Sequence, residues 1–366
     1  MRFEVQREPL LAALQSIVGV VERRQTLPVL GNIRVEARPD QLQLTATDLE
    51  VELVAYLEAE TQEEGVITLP ARKWLDICRN LPEEASIRIE TSQDRATLRA
   101  ASSRFSLATL PADEFPEVES IGETESVAIP RGELRRLIER THFSMAQHDV
   151  RYYLNGLLLE LTGSGARAVA TDGHRLALAE SDTPVHVAQP RQVIVPRKGV
   201  QELLRLLDDA EEPATLEFGT NHVRVTLQSV RFTSKLIDGV FPDYNRVIPQ
   251  DGDKHVLIDR QYLRQALTRV AILSNEKYRG IRFAVEGETL RIGSHNPEQE
   301  EAEEEVGIEY GGESVELGFN ANYLLDALAA LDTERVHVTL TDASSSGLIR
   351  GEGRDDARYV VMPMRL

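Results

Sequence analysis

The segment that decides the fold is "RYYLNGLLLELTGSGARAVATDGHRLAL" (151–178), because its pattern occurs three times in the chain. The other copies are "TLPVLGNIRVEARPDQLQLTATDLEVEL" (26–53) and "EKYRGIRFAVEGETLRIGSHNPEQEEAE" (276–303). Each copy has a Gly or Asn entry, an alternating apolar strand, a turn, a second strand and a polar corner. Recurrence at a spacing of about 124 residues indicates repeated structural units.

Flanking segments extend the repeat. Each copy opens with a strand and a helix (3–18, 126–141, 255–270), continues into a strand and an amphipathic helix (67–81, 193–207, 317–331) and closes with a strand (103–111, 230–238, 357–366). This order predicts an α+β fold with antiparallel sheets and a helical layer. We expect three similar domains, 1–120, 126–248 and 254–366, with short polar linkers near 114–126 and 240–254.

The charge of the chain is distributed unevenly. The 366 residues carry a net charge of −19, yet four of the six predicted helices, 71–80, 131–141, 197–207 and 259–271, each carry +2. Their basic residues are Arg72, Lys73, Arg79, Arg131, Arg135, Arg136, Arg140, Arg197, Lys198, Arg205, Arg260, Arg264 and Arg269. A basic helical layer on an acidic body favours contact with a polyanion through its phosphates, without sequence readout.

Several classes of protein are excluded by what the sequence lacks. Cys78 is the only cysteine and has apolar neighbours, so disulfides and thiolate metal sites are not expected. We find no nucleotide-binding loop or metal-ligand spacing, and therefore expect no cofactor. No apolar run suits a membrane span or a signal peptide, which predicts a cytoplasmic protein without membrane contact.

The sequence Asp172-Gly173-His174 permits two interpretations. Asp-Gly is typical of a turn between strands, here 169–170 and 176–178. Alternatively, Asp172 and His174 are the orienting group and general base of a hydrolase, although a nucleophile motif and a second base are missing. A monomeric repeat scaffold that binds only proteins is a further alternative.

Longer motifs carry a resemblance to a known family. The chain contains "LPVLGN", "TATDLE", "LPARKWLDICR", "RFSLATLPADEFP", "FSMAQHDVRYYLNG", "ATDGHRLA", "VIVPRKGV", "FTSKLIDGVFPDY", "AILSNEKYRGIR", "NPEQEEAEEE" and "YVVMPMRL". Over its whole length it resembles the bacterial DNA polymerase III β subunits, the replicative sliding clamps. The resemblance implies a head-to-tail homodimeric ring, lined by helices, that encircles duplex DNA and gives polymerases processivity. It implies no catalytic activity.

The resemblance also implies a cleft for short peptides of DNA polymerase subunits, the clamp loader and other clamp-binding proteins. Its lining would be Leu154, Thr171, Gly173, His174, Arg175, Leu176, Pro242, Arg246, Val247, Asn320, Tyr323, Ser346, Val360, Val361, Met362, Pro363, Met364 and Arg365. Apolar walls with methionines and a few polar groups suit capture of a peptide with apolar anchors. Ser344 departs from the aliphatic residue of such clamps and makes the rim more polar.

Two further surfaces follow from the resemblance. The dimer seam would contain Lys73, Arg104, Phe105, Leu107, Ile272, Leu273, Glu300, Glu301 and Glu304, although residues 300–305 by themselves favour a solubilising acidic loop. The DNA-binding residues would be Arg24, Arg72, Lys198, Tyr152 and Tyr153. We expect the two tyrosines on a loop that can touch a DNA strand, while core-packing strand residues are an equal alternative.

Overall fold

The computed structural model describes residues 1–22, 27–116, 118, 125–250 and 252–365, which divide into two units. The first unit comprises Met1–Leu134 and Lys198–Leu236, and the second comprises Arg135–Arg197 and Ile237–Leu366. Helices α3 (Arg131–Glu139) and α4 (Arg197–Leu206) therefore each contribute to both units.

The first unit contains two further helices and thirteen strands within the described residues. The helices are α1 (Arg7–Ile17) and α2 (Ala71–Asn80). The strands are β1 (Arg2–Gln6), β2 (Asn32–Arg38), β3 (Gln41–Thr47), β4 (Val51–Glu58), β5 (Glu60–Glu63), β6 (Gly65–Pro70), β7 (Ser86–Ser92), β8 (Arg95–Ala100), β9 (Ser103–Ala108), β10 (Ser126–Pro130), β15 (Pro213–Phe218), β16 (His222–Leu227) and β17 (Val230–Lys235).

These strands form two antiparallel sheets in the first unit. One sheet has the order β5-β1-β7-β8-β9, and the other has the order β10-β15-β16-β17-β4-β3-β2-β6. Leu10 and Leu14 of α1 and Trp74 and Cys78 of α2 are fully buried. Their spacing of four residues places each pair on one helix face, as the amphipathic pattern predicts.

In the part that the structure describes, the second unit contains twelve strands and two helices of its own. The helices are α5 (Arg260–Val270) and α6 (Ala321–Ala330). The strands are β11 (Gly156–Thr162), β12 (Gly165–Thr171), β13 (Arg175–Ser181), β14 (Arg191–Pro196), β18 (Lys254–Asp259), β19 (Gly280–Glu286), β20 (Thr289–His295), β21 (Glu301–Glu309), β22 (Val315–Asn320), β23 (Arg335–Leu340), β24 (Gly347–Gly351) and β25 (Ala357–Val361). They pair in the order β14-β11-β12-β13-β25-β24-β23-β18-β21-β20-β19-β22.

The threefold repeat is confirmed in the order of elements. Each copy has a strand, a helix, a run of strands, a second helix and three closing strands, and the first copy adds the short strand β5. The hairpins β2–β3, β11–β12 and β19–β20 hold equivalent places. The predicted α+β class with antiparallel sheets is therefore correct.

Neighbouring copies are joined by the same strand pairing. Strand β17 pairs with β4 so that Arg231 lies opposite Val54, and β25 pairs with β13 so that Arg358 lies opposite Leu178. The corresponding strands β9 and β21 have no such partner within the described residues. Strand β9 is the edge of its sheet, and β21 pairs with β18 only at Ile308 and Glu309. Strands β9 and β21 thus lack, within the described residues, the pairing that joins one copy to the next elsewhere.

One prediction about local structure was wrong. The acidic run is not a loop, because residues 301–305 form the first half of β21. Within the predicted linker near 240–254, Tyr244 begins a short 3-10 helix and is only 6% exposed. No helix in the part of the chain that the structure describes is long and apolar enough to cross a membrane.

Candidate functional site

The turn between β12 and β13 is held by its own side chains. Asp172 Oδ1 accepts hydrogen bonds from the backbone amides of His174 (2.9 Å) and Arg175 (3.0 Å). Thr171 Oγ1 accepts from the Gly173 amide at 3.1 Å and donates to the Arg175 carbonyl at 2.6 Å. Gly173 has a φ of +88°, which suits glycine. The turn interpretation of Asp-Gly-His is therefore correct.

The first copy contains the same turn with different residues. Asp48 Oδ1 accepts from the amides of Glu50 and Val51, and Thr47 Oγ1 bonds the Leu49 amide and the Val51 carbonyl. Leu49 adopts the left-handed conformation with a φ of +80°. The Thr-Asp pair thus stabilises the turn in both copies. Within the described residues, no hydrogen bond joins the Asp172 carboxylate to the His174 ring. The geometry gives the hydrolase interpretation no support.

Arg175 joins the turn to helix α6. Its guanidinium bonds Asp172 Oδ2 (3.1 Å), Asp326 Oδ2 (2.5 Å) and the Phe143 carbonyl (2.7 Å). It also lies 4.4 Å from the centre of the Tyr323 ring, a cation–π geometry. The side chain is only 13% exposed. Arg175 was predicted to line the cleft, and its hydrogen-bonding groups are engaged within the chain.

The C-terminal segment after β25 runs between the turn and strand β22. The Met362 amide donates to the His174 carbonyl at 2.9 Å, and the Met364 amide donates to the Gly318 carbonyl at 2.8 Å. Met362 is 40% exposed. The structure therefore brings together the predicted residues 171–176 and 360–365, with His174 and Met362 accessible at the surface.

An apolar cluster forms the floor of this site. It contains the predicted residues Leu176 and Val360 together with Leu158, Val169, Leu178, Ile194, Tyr244 and Leu348. Tyr153, Phe241 and Ile248 are partly buried against it. Sequence reasoning missed Phe241 and Ile248 because they lie in the predicted linker, although apolar residues in a polar stretch were the available signal. Tyr153, predicted to bind DNA, thus packs against this cluster.

The remaining predicted cleft residues differ in accessibility. Leu154 is buried, with its amide and carbonyl bonded to other backbone groups. Asn320 caps α6 by accepting from the amides of Asn322 and Tyr323. Pro242, Arg246 and Val247 are exposed, and Ser346 is half-buried. Ser344 is exposed, and its hydroxyl bonds Asp342 at 2.8 Å.

Known family models match nearly the whole length of the chain. Three family models match in series: the N-terminal domain of the DNA polymerase III beta subunit at 1–119, its central domain at 128–243 and its C-terminal domain at 245–365. The chain belongs to the DNA polymerase III beta subunit family. This confirms the resemblance seen in the sequence motifs.

Individual relatives agree over full length. The beta sliding clamp of Pseudomonas putida is 54% identical, with 100% of both chains covered. A Pseudomonas aeruginosa sliding clamp, solved bound to griselimycin, is 53% identical with a TM-score of 0.96 and the same coverage. A Caulobacter crescentus sliding clamp is 40% identical with a TM-score of 0.94, again over 100% of both chains.

The predicted seam residues of this beta-subunit chain are divided between strands β9 and β21 and other elements. Arg104, Phe105 and Leu107 belong to β9, and Ile272, which is 71% exposed, and Leu273 lie in a 3-10 helix after α5. Glu304 already accepts hydrogen bonds from Arg269 within the chain, the longer at 2.9 Å. Glu301 and Glu303 form no salt bridge within the described residues. Lys73 and Arg104 are exposed.

Two predicted DNA-binding residues of the beta-subunit chain meet at one segment. Arg72 donates to the Val21 carbonyl at 2.9 Å, and Lys198 donates to the Glu22 carboxylate at 2.5 Å and to Asp48. Burial lowers the pKa of Lys198, but its bonds to Asp48 and Glu22 raise it more, so the pKa is raised overall. The charge of Lys198 is thus already paired.

The other predicted basic and aromatic residues are placed less uniformly. Tyr152 is 57% exposed in a 3-10 helix and contacts the Tyr153 ring edge to face. Neither tyrosine lies in a strand. Arg131 and Arg140 are buried in ion pairs, so they do not belong to an accessible basic face as predicted. Arg24 lies outside the described residues.

Proposed function

We propose that this chain is a replicative sliding clamp. Two copies close into a ring that encircles duplex DNA and tethers polymerases, which raises their effective concentration at the primer end. The clamp is a cytoplasmic, non-catalytic processivity factor without a cofactor. The support is full-length similarity to proteins named beta sliding clamp, together with three consecutive beta-subunit domains. We place the domains at 1–120, 126–248 and 254–366.

The observation that carries ring closure is that β9 and β21 lack this joining pairing within the described residues. Each internal joint pairs the last strand of one copy with the third hairpin strand of the copy before it. Strand β9 is the last strand of the first copy, and β21 is the third hairpin strand of the third copy. Pairing β9 of one chain with β21 of another gives a closed, two-fold assembly with two identical seams.

The register of the internal joints specifies the contacts at each seam. In the hairpin of the third copy, Glu303 pairs with Gly293. The equivalent hairpin pairs are Val54 with Thr45 in the first copy and Leu178 with Val169 in the second. Glu303 is therefore the residue that faces Arg104, since Arg231 faces Val54 and Arg358 faces Leu178. Phe105 then faces Ala302. Each seam thus combines an apolar contact, Phe105 with Ala302, and an ion pair, Arg104 with Glu303. The complementary charges favour the correct register of the two strands.

Contact with DNA is proposed to occur through phosphates. Arg72 provides a cation for a phosphate, and Lys198 contributes less because Asp48 and Glu22 already pair its charge. Arg24 is included from the sequence alone. Affinity should therefore fall with salt. Tyr152 adds an exposed ring for a base or sugar of an emerging strand. A few cations on a chain of net charge −19 hold DNA weakly, which is compatible with sliding.

The cleft in the second unit is proposed to bind short peptides of polymerase subunits, the clamp loader and repair proteins. Its floor of Leu176, Val360 and neighbouring apolar residues suits apolar anchors, and Met362 can adapt to them. The exposed side chains of His174 and Arg246 supply polar groups at the rim.

One experiment tests the ring. Light scattering measures the mass in solution, and retention on DNA is compared for nicked circles and for linear fragments of the same sequence after loading. We expect a dimer that stays on circles and is lost from linear DNA at the ends. A monomer, or equal retention on both DNA forms, would contradict the clamp and favour a protein-binding scaffold.

A further inference from the structure

A buried polar network lies next to the floor of the cleft. The Tyr244 hydroxyl donates to Glu160 Oε2, and Arg167 Nη1 donates to the Tyr244 oxygen at 2.7 Å. Gln192 Nε2 donates to Glu160 Oε1 at 2.5 Å, and Arg167 Nη1 lies 3.3 Å from Glu160 Oε2. Glu160 is 8% exposed and Tyr244 is 6% exposed. Both oxygens of a buried carboxylate are thus hydrogen-bonded.

Tyr244 fixes the segment that carries one wall of the cleft. Its ring belongs to the same apolar cluster as Leu176 and Val360, and Phe241 and Ile248 pack against that cluster on either side in the sequence. The Val247 amide donates to the Tyr244 carbonyl at 3.1 Å, which closes the short helix. The exposed residues Pro242, Arg246 and Val247 are therefore carried on backbone that Tyr244 anchors.

The other copies of the repeat provide an internal comparison. Glu160 on β11 corresponds to Glu36 on β2 and to Ala284 on β19, because each lies four residues after the start of its hairpin strand. Glu36 is paired with Arg34 and Arg38, and no tyrosine bonds it in the described residues. Within that part of the chain, the network accompanies the copy that carries the cleft.

We propose that Tyr244 and Glu160 form a latch that holds residues 241–248 in the conformation that binds a partner peptide. The two side chains are positioning residues, since their burial keeps them from touching the peptide. Preorganising a binding wall reduces the entropy lost on association and so raises affinity. This inference rests on the proposed peptide-binding function of the cleft.

The protonation state of the phenol supports this role. Burial, followed by the hydrogen bond to Glu160, raises the pKa of Tyr244 to about 12. The hydroxyl therefore remains a donor throughout the physiological range. A hydrogen bond to a charged, buried group is among the stronger ones in proteins.

The test uses the full-length dimer and a fluorescent synthetic peptide with leucine and phenylalanine anchors. Tyr244→Phe keeps the ring in the apolar cluster and removes only the hydroxyl. We expect its dissociation constant for the peptide to rise about tenfold, the size expected for losing one charge-assisted bond. Hydrogen exchange at the Val247 amide should accelerate, while retention on circular DNA stays unchanged.

Matched variants isolate the latch from general effects on packing. The first control, Tyr310→Phe, removes a hydroxyl that donates to the Glu313 carbonyl at 2.6 Å. The second control, Glu36→Gln, is the first-copy equivalent of Glu160→Gln. Both controls should bind the peptide as the wild type does. Combining Tyr244→Phe with Glu160→Gln should cost little more than Tyr244→Phe alone, since the two residues act as one unit.

The outcomes separate the latch from the proposed function. Peptide affinity or Val247 exchange in Tyr244→Phe equal to that in Tyr310→Phe would overturn the latch alone. Failure of the wild type and both controls to bind the peptide would instead overturn peptide capture at this cleft, and the latch with it.

Discussion

The Arg175 guanidinium lies 4.4 Å from the centre of the Tyr323 ring and bonds Asp326 of the same helix. The turn from the second copy and helix α6 from the third are thereby joined at the cleft. A residue that stacks on a ring and bonds two carboxylates cannot be replaced by another cation without loss, because lysine lacks the planar, forked geometry of arginine.

Arg175→Lys should therefore weaken peptide binding while the charge is kept. We expect the binding free energy to weaken by about 1–2 kcal/mol, because the turn loses its hydrogen bonds and ring contact with helix α6. Isothermal titration with the anchor peptide measures it. Arg282→Lys, at an exposed ion pair with Glu316, is the matched control and should bind normally. Equal affinities for the two variants would contradict the joining role of Arg175.

Combining Ile272→Ala with Leu273→Ala should give monomers. Apolar burial at a seam contributes about 1.5–3 kcal/mol for each large side chain, more than exposed ion pairs do. Light scattering over a dilution series measures the mass. Val150→Ala, at a side chain that is 95% exposed, is the control and should stay dimeric. A dimer that survives both seam changes rules out this seam.

The proposed pair of Arg104 and Glu303 can be tested by exchanging the charges. Arg104→Glu alone should place like charges across the seam and weaken the dimer by about 1 kcal/mol. Adding Glu303→Arg should restore much of that loss. The same rescue attempted with Glu304→Arg should be poorer, because Glu304 is bound by Arg269. Better rescue by Glu304→Arg would show that the register is shifted.

Arg72→Ala should weaken DNA association and loading while the dimer is unchanged, and Arg24→Ala should do the same. Loss of one phosphate contact should reduce the slope of log affinity against log salt by about 1. Lys198→Ala should have a smaller effect on DNA, because Asp48 and Glu22 already pair that lysine. Fluorescence anisotropy with duplex DNA at several salt concentrations measures the slopes. Unchanged association and loading in both arginine variants would count against their assignment.

The Asp356 carboxylate should contribute stability that disappears in acid. Burial raises its pKa, but hydrogen bonds from Arg140 and Arg354 lower it more, so the folded-state pKa lies below the ordinary value. The contribution is therefore fully present above the unfolded pKa of about 3.9 and is lost as the pH falls through the folded pKa. Chemical denaturation should show Asp356→Asn less stable than wild type by about 1–3 kcal/mol at pH 7.

In acid, that difference between wild type and Asp356→Asn should shrink towards zero. Asp355→Asn, at a mostly exposed carboxylate paired with Arg350, is the control and should differ little from wild type at either pH. A difference for Asp356→Asn that does not change with pH would show that packing, and not charge, is responsible.

The repeat made most of the fold predictable. Apolar periodicity marked the helices to within a few residues, as at 259–271 for a helix observed at Arg260–Val270. The Thr-Asp-Gly turn was also predictable, because its hydrogen bonds are local. Periodicity and local bonding can be read from neighbouring residues alone.

Features that depend on distant partners were not predictable. A glutamate-rich strand segment such as 301–305 has weak β propensity and is held by pairing with β20. Tyr244 lies in a stretch rich in turn residues, and its partner Glu160 is 84 residues away. Likewise, the sequence marks Arg131 and Arg140 as basic but does not say that buried ion pairs neutralise them.

The left-handed Leu49 has a wider meaning for how such repeats diverge. Its backbone follows the same path as Gly173, although a leucine is disfavoured there and a glycine is not. A threonine and an aspartate are the only side chains that the two corners share, and they suffice to impose that path. The remaining residues of this corner can therefore differ between copies without changing the turn, and in the second copy they include the exposed His174.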